Sequence, residues 1–209
     1  MAGRFWQTGS MTAETIARLR INLNDTDPEV WRVVDVPLTI NLKMLHDIIQ
    51  AAMGWQDCHL WGFEVGGRRY GLPDPEWRDD KLAAARNVKL GSLIERGIRE
   101  LAYTYDMGDN WQHAITVDAV RPGDPDTAYP CFIDGARRCP PEDVGGTTGY
   151  ENFLETIADP DHEEHDEFSE WYGDPYDPDN IDELITRRRI AAIAIRRAAG
   201  KAAYAKRRT

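Results

Sequence analysis

The stretch YTYDMGDNWQH, residues 103–113, gathers two carboxylates, an imidazole and an indole around one glycine. Those residue types support two kinds of chemistry. Asp106, Asp109 and His113 carry the donor atoms that hold a divalent metal, and Asp106 with His113 makes an acid/base pair. The same residues also suit a plain turn. Asp side chains accept hydrogen bonds from nearby backbone amides, and Gly108 tolerates a positive φ. With residues 107–110 as the loop, Asp106 opposes Trp111, Thr104 opposes His113 and Ala102 opposes Ile115. Opposed residues share a face, so Asp106, Trp111 and His113 point the same way. A slip of one residue sends His113 to the other face from Asp106.

Other histidines offer less. His59 follows Cys58 at the start of an expected strand, where neighbours point to opposite faces, which works against a Cys–His nucleophile pair. HEEH (162–165) sets His162 and His165 at i and i+3. Its second histidine comes one residue too early for the H-E-x-x-H zinc motif, and a solvated acidic helix is the default reading. His46 is expected on the exposed side of a helix. The chain has no G-x-G-x-x-G, Walker A or G-x-S-x-G motif.

The elements that must position these residues read as hairpins with interleaved helices. Residues 16–23, IARLRINL, alternate with period two, and VWRVVDVP (30–37) follows after a turn. Thr39 can N-cap a helix through about Met53, with Leu42, Leu45, Ile48, Ile49 and Ala52 as its apolar stripe and Gly54 as the left-handed stop. Residues 59–65 and 68–72 form a second hairpin around a Gly-Gly turn, followed by a loop over 72–81. A short helix over 88–97 closes at Gly97, and 101–106 with 111–120 make the third hairpin. Two Pro/Gly loops (121–130 and 140–150) precede a helix over 150–158. A further helix starts near Asn180 or Ile181. The order implies an α+β fold: a single domain, mostly antiparallel sheet built from hairpins, with one N-terminal helix packed on it and a helical C-terminal part.

Composition narrows the classes. The chain of 209 residues is 42% hydrophobic with seven Trp, enough for a core. It has no apolar run long enough for a transmembrane segment and no secretory leader pattern. Three cysteines without C-x-x-C spacing point to reduced thiols and a cytoplasmic location. The net charge of −11 is unevenly placed. Nine basic residues fall between Thr186 and Thr209, leaving a net of −20 on the rest, a body that repels phosphate backbones. The candidates for nucleic-acid contact are Arg187, Arg188, Arg189, Arg196, Arg197, Lys201, Lys206, Arg207 and Arg208. Ile190, Ile193 and Ile195 would anchor this cationic helix, which could bind nucleic acid or an anionic membrane and could equally self-associate or fold back on the acidic body. The expected division is a flexible leader at 1–13, the α+β domain at 14–189 and a basic helical tail at 190–209.

Several stretches taken together resemble the plasmid pRiA4b ORF-3-like family: RINLNDTDPEVWRVVDVP, LHDIIQAAMGWQDCHLWGFEVGGRRYG, YTYDMGDNWQHAITV and YPCFIDGARRCPPEDVGGTTGYENFLETIADPDHEEHDEFSEWYG. The resemblance implies a single α+β domain, often encoded near mobile elements as an insertion-sequence passenger, and it brings no established reaction. It marks His59, Asp106, Gly108, Asp109, Trp111, His113, Glu142, Asp143, Gly145, Gly146 and Tyr150 as signature positions. The basic extension after about Ile190 departs from the family pattern. Three functions then compete. One is an accessory or binding protein of a mobile element, with a protein partner or nucleic acid. Another is a metal-dependent hydrolase, with ligands and a general base drawn from His59, Asp106, Asp109, His113, Glu142 and Asp143. The third is a silent scaffold.

Overall fold

A computed structural model describes residues 13–73, 81–173 and 175–207. Most of the expected leader, most of the 72–81 loop and Arg208 lie outside the described residues. In chain order the strands are β1 (Thr15–Leu23), β2 (Val30–Pro37), β3 (Trp61–Val65), β4 (Arg68–Gly71), β5 (Leu82–Ala84), β6 (Glu100–Tyr105), β7 (Trp111–Pro122) and β8 (Cys131–Ala136). The helices are α1 (Leu42–Met53), α2 (Leu90–Glu95), α3 (Gly146–Ala158), α4 (His165–Tyr172) and α5 (Glu183–Lys206). The strands form one sheet in the order β5-β4-β3-β6-β7-β1-β2-β8. Its pairs are antiparallel except β4 with β5. The fold is therefore α+β.

The period-two pattern of β1 decides its two faces. Leu19, Ile21 and Leu23 are buried, while Arg18, Arg20 and Asn22 are half-exposed. On that polar side Arg18 donates twice to Asp35, and Arg121 adds a contact at 2.7 Å. The apolar face is covered by α1 and α5, and Leu42, Leu45, Ile48, Ile49 and Ala52 are all fully buried. Gly54 ends α1 with φ 106°.

Several expectations need correction. The cap of α1 is Asn41, whose side chain accepts from Met44 N, and not Thr39. Thr39 instead donates to Glu14. His46 is fully buried, because the chain after α1 folds back across that side of the helix. Its ring stacks on Trp61 at 3.9 Å, its Nδ1 lies 2.8 Å from Tyr103 Oη, and its Nε2 lies 2.7 Å from Asp57 Oδ1. The β6–β7 hairpin has the slipped register. Tyr105 opposes Trp111, Tyr103 opposes His113, and Leu101 opposes Ile115. The loop takes five residues because Asp106 and Asn110 both adopt positive φ and leave the strands. Strands β5 and β8 were not foreseen. The boundary at 189/190 is not a structural break: α5 runs through it, and Ile190 and Ile193 are buried while Ile195 is exposed.

Candidate functional site

Three segments far apart in sequence meet at one end of the sheet. The first is 54–59, released from α1 by the left-handed Gly54. The second is the 106–110 turn. The third is 138–146, between β8 and α3. Tyr105, the last residue of β6, joins the first and third. Its Oη accepts from Cys58 N at 3.2 Å and donates to Glu142 Oε1 at 3.1 Å. The same Oε1 accepts from Gln56 N at 2.7 Å, and Trp55 Nε1 donates to Pro140 O at 3.1 Å. Asp109 joins the second and third, its Oδ2 accepting from Gly145 N at 3.1 Å. Gly145 and Gly146 both have positive φ, and Gly146 sits directly against the Asp109 carbonyl.

At the junction His59 lies among three carboxylates. Its Nε2 is 3.1 Å from Asp143 Oδ1, 3.7 Å from Asp106 Oδ2 and 3.9 Å from Glu142 Oε2. Asp106 and Glu142 are largely buried, while Asp143 is 70% exposed. Asp106 also makes the expected turn contact, its Oδ1 accepting from Gly108 N at 2.8 Å. Beside this cluster a surface recess of about 470 Å³ opens, with Trp55, Glu142, Asp143, Trp171, Asp182 and Ile185 among its lining residues.

The signature residues thus divide. His59, Asp106, Glu142 and Asp143 come together. Asp109, Gly145 and Gly146 hold the loops to one another. Trp111 and Tyr150 are buried in edge-to-face contact at 6.4 Å and form the wall behind. His113 belongs to none of these groups, which corrects the proposed set of Asp106, Asp109 and His113. The slipped register places it within the core, 1% exposed, with Nδ1 facing the carbonyls of Trp111 and Tyr103. Burial pushes its pKa down to about 4, against the pull of those carbonyls. Asp109 is committed to Gly145. The HEEH pair does not converge either: His162 Nδ1 accepts from Glu164 N, and His165 Nδ1 faces Thr156 O.

Residues 58 and 59 precede β3, and the exposed Cys58 brings its Sγ within 4.8 Å of a His59 ring nitrogen, so the expected divergence of this pair does not hold. The other candidate nucleophiles find little support. Burial raises the thiol pKa of both Cys131 and Cys139, and raises the Tyr105 phenol well above its usual value. Tyr105, Trp55 and Gln56 are the organising residues that sequence reasoning missed. The assumed register put Tyr105 on the wrong face, and no local pattern signals a backbone amide whose partner lies 86 residues away.

Several cations of the C-terminal segment have partners in the body. Arg187 donates to Phe132 O at 2.9 Å, and Arg189 to Trp55 O at 3.4 Å. Arg197 pairs with Glu14 and donates to Thr39 Oγ1 at 2.8 Å, and Lys201 donates to Glu14 Oε1 at 2.9 Å. Arg188, Arg196 and Arg207 face outward, and Lys206 lies in the last helical turn. No helix among the described residues is long and apolar enough to cross a membrane.

An α+β domain with one eight-stranded sheet, its end closed by three stitched loops around a His–carboxylate cluster, is the class these features define. The chain belongs to the plasmid pRiA4b ORF-3-like protein family, whose model matches residues 15–184. It is similar to the uncharacterized protein y4hQ of Sinorhizobium fredii, with 42% identity over 159 residues, 76% of this chain and 81% of the relative. It is also similar to a crystal structure of a protein of unknown function, MM3350, from Methanosarcina mazei Go1. There the TM-score is 0.74 at 34% identity, covering 80% of this chain and 95% of the other.

Proposed function

We propose that the protein acts by binding, receiving a basic, partly apolar segment of a partner protein in the recess beside the three-loop junction. The observation that carries this reading is the make-up of the rim. Trp171 and Ile185 stay 48% and 45% exposed there, next to the outward carboxylate of Asp143 and to Asp182. Exposed apolar side chains grouped at a concavity mark interaction sites, and aromatic residues are the usual anchors. Two cations border the recess and each has a partner: the exposed Arg189 donates to Trp55 O at 3.4 Å, and the half-buried Arg138 guanidinium lies over the Tyr176 ring. Asp143 and Asp182 put carboxylates at the rim, on a chain whose net charge is −11. A cationic partner is favoured.

The accessory role beside a mobile element that the family likeness implies belongs to this proposal. Proteins that handle nucleic acid carry the basic segments such a recess would accept. A reducing, cytoplasmic setting is part of the same reading, supported by three unbridged cysteines. Contact with nucleic acid through the C-terminal helix is the weaker reading, because Arg187, Arg189, Arg197 and Lys201 already have partners in the body.

The test is fluorescence anisotropy with a labelled amphipathic Lys/Leu peptide, its Glu/Leu counterpart and a DNA duplex of similar charge. The reading expects saturable binding of the Lys/Leu peptide that weakens with salt, and no binding of the other two. Preference for DNA, or equal binding of both peptides, overturns it.

A further inference from the structure

We infer that His59, Asp106, Glu142 and Asp143 form a binding site for one first-row divalent transition-metal ion. The metal site does not rest on the partner-binding reading, although Asp143 stands at both. The carrying observation is a pair of orphaned atoms. His59 Nε2 and Glu142 Oε2 are both shielded from solvent, and neither has a hydrogen-bond partner. They face each other across 3.9 Å, too far for a hydrogen bond. Buried polar atoms in native proteins are nearly always satisfied, so two orphans facing one point need a reason.

The other donors point to the same place. Asp106 is only 7% exposed. It spends Oδ1 on the Gly108 amide and turns Oδ2 toward His59 Nε2 at 3.7 Å. Asp143 brings Oδ1 to 3.1 Å from the same nitrogen, yet no hydrogen bond forms there. A tetrahedral ion with bonds of about 2.0–2.2 Å to nitrogen and oxygen holds its ligands about 3.4 Å apart. Measured from His59 Nε2, the separations of 3.1, 3.7 and 3.9 Å to the three carboxylates fall around that spacing. The ligand atoms of His59, Asp106 and Asp143 all lie within 4.8 Å of one another, and Glu142 shares a second such group with His59 and Cys58, whose thiol is a neighbouring donor.

A cation also answers an electrostatic problem. Three carboxylates converge on one imidazole, with Asp106 and Glu142 largely out of water, and a divalent charge offsets their repulsion. One imidazole with carboxylates suits zinc, cobalt or manganese better than calcium or magnesium, which take oxygen ligands. A group elsewhere, His46 with Asp47 and Asp57, has comparable spacing but does not qualify. Both His46 nitrogens already have partners, Tyr103 Oη and Asp57 Oδ1. The ligand set is therefore unlike the Asp106, Asp109 and His113 set that spacing alone suggested, although it lies at the same loop.

The test uses untagged full-length protein stripped with chelator and titrated with Zn2+ and with Co2+, the latter read by its visible spectrum. The expected result is one saturable equivalent, a tetrahedral Co2+ spectrum and a Tm raised by about 5–10 °C at a hundredfold excess over Kd. His59→Ala should abolish it. Asp143→Asn, at an exposed position where the fold is not at stake, should weaken it by at least about tenfold. Asp57→Asn, in the other group, should leave it unchanged. Absence of stoichiometric binding, or binding that survives both His59→Ala and Asp143→Asn, overturns the assignment.

Discussion

The carbonyl oxygen of Asp109 lies 2.7 Å from the point where a β-carbon on Gly146 would stand. Since the Asp109 carboxylate also holds Gly145 N, one residue of the β6–β7 turn clamps two successive backbone positions at the start of α3. Both glycines have positive φ, so the Gly-Gly pair answers conformation and close approach together. Gly146→Ala should cost about 2–4 kcal/mol, from left-handed strain plus a clash with backbone. Gly67→Ala has the same φ problem and nothing within 4 Å, and should cost about 1–2 kcal/mol. Urea midpoints at constant m separate the two. Equal costs would mean that the clamp at Asp109 is not tight.

Acid should destabilise the protein earlier than its carboxylates alone would. Burial lowers the pKa of His46 to about 4 despite the nearby Asp57 carboxylate, and lowers His113 to about 4. Both folded values lie below the ordinary 6.5. The unfolded chain therefore binds more protons in that interval, and stability falls as pH drops from 6.5 toward 4, then levels for these groups. Each contributes on the order of 2–3 kcal/mol across the window. Glu14 adds a later loss. Burial opposes its charge, but hydrogen bonds from Arg197, Lys201 and Thr39 prevail and hold it at about 2, so its contribution fades as pH falls from 4.5 to 2. Urea melts between pH 7 and 5 isolate the histidines. His46→Asn should flatten the slope there, and an already flat profile in the wild type would show that the imidazoles are not buried neutral.

The C-terminal helix should behave as part of the fold and not as an appended tail. Ending the chain after Arg189 removes Ile190 and Ile193 from the core, at 1% and 6% exposure. That should cost about 3–6 kcal/mol. Ending it after Lys201 removes only exposed positions among the described residues and should change stability by less than about 0.5 kcal/mol. Thermal melts of the two truncations check this. Equal melting temperatures would make the helix a tail after all.

Local pattern carried much of the architecture and little of the site. The alternation in β1, the stripe of α1 and the Gly54 stop are short-range signals, and each maps onto one element. The β6–β7 register hangs on whether Asp106 continues the strand or turns out of it, and Asp tolerates either conformation. Tyr103 and Tyr105 are apolar enough to prefer the core over Thr104 and Asp106, and that contrast was the available clue. Edge strands β5 and β8 are short and half-buried, so neither shows a clean period. His46 looked solvent-facing because the segment that covers it, 55–61, comes later in the chain. The residue types of the candidate site were visible at His59, Asp106, Glu142 and Asp143. Their convergence was not, since it depends on contacts such as Tyr105 with Glu142, 37 residues apart, which no local pattern encodes.

Peptide anisotropy with rim variants shows whether the recess is where a basic partner binds. Ile185→Glu and Trp171→Ala alter side chains that are already half-exposed, so the fold should hold. Each should weaken the Lys/Leu peptide by about tenfold or more. Leu60→Glu, at an exposed apolar residue outside the lining of the recess, should leave affinity unchanged. Undiminished binding in both rim variants, or the same loss in Leu60→Glu, would contradict the assignment of the recess as the partner site.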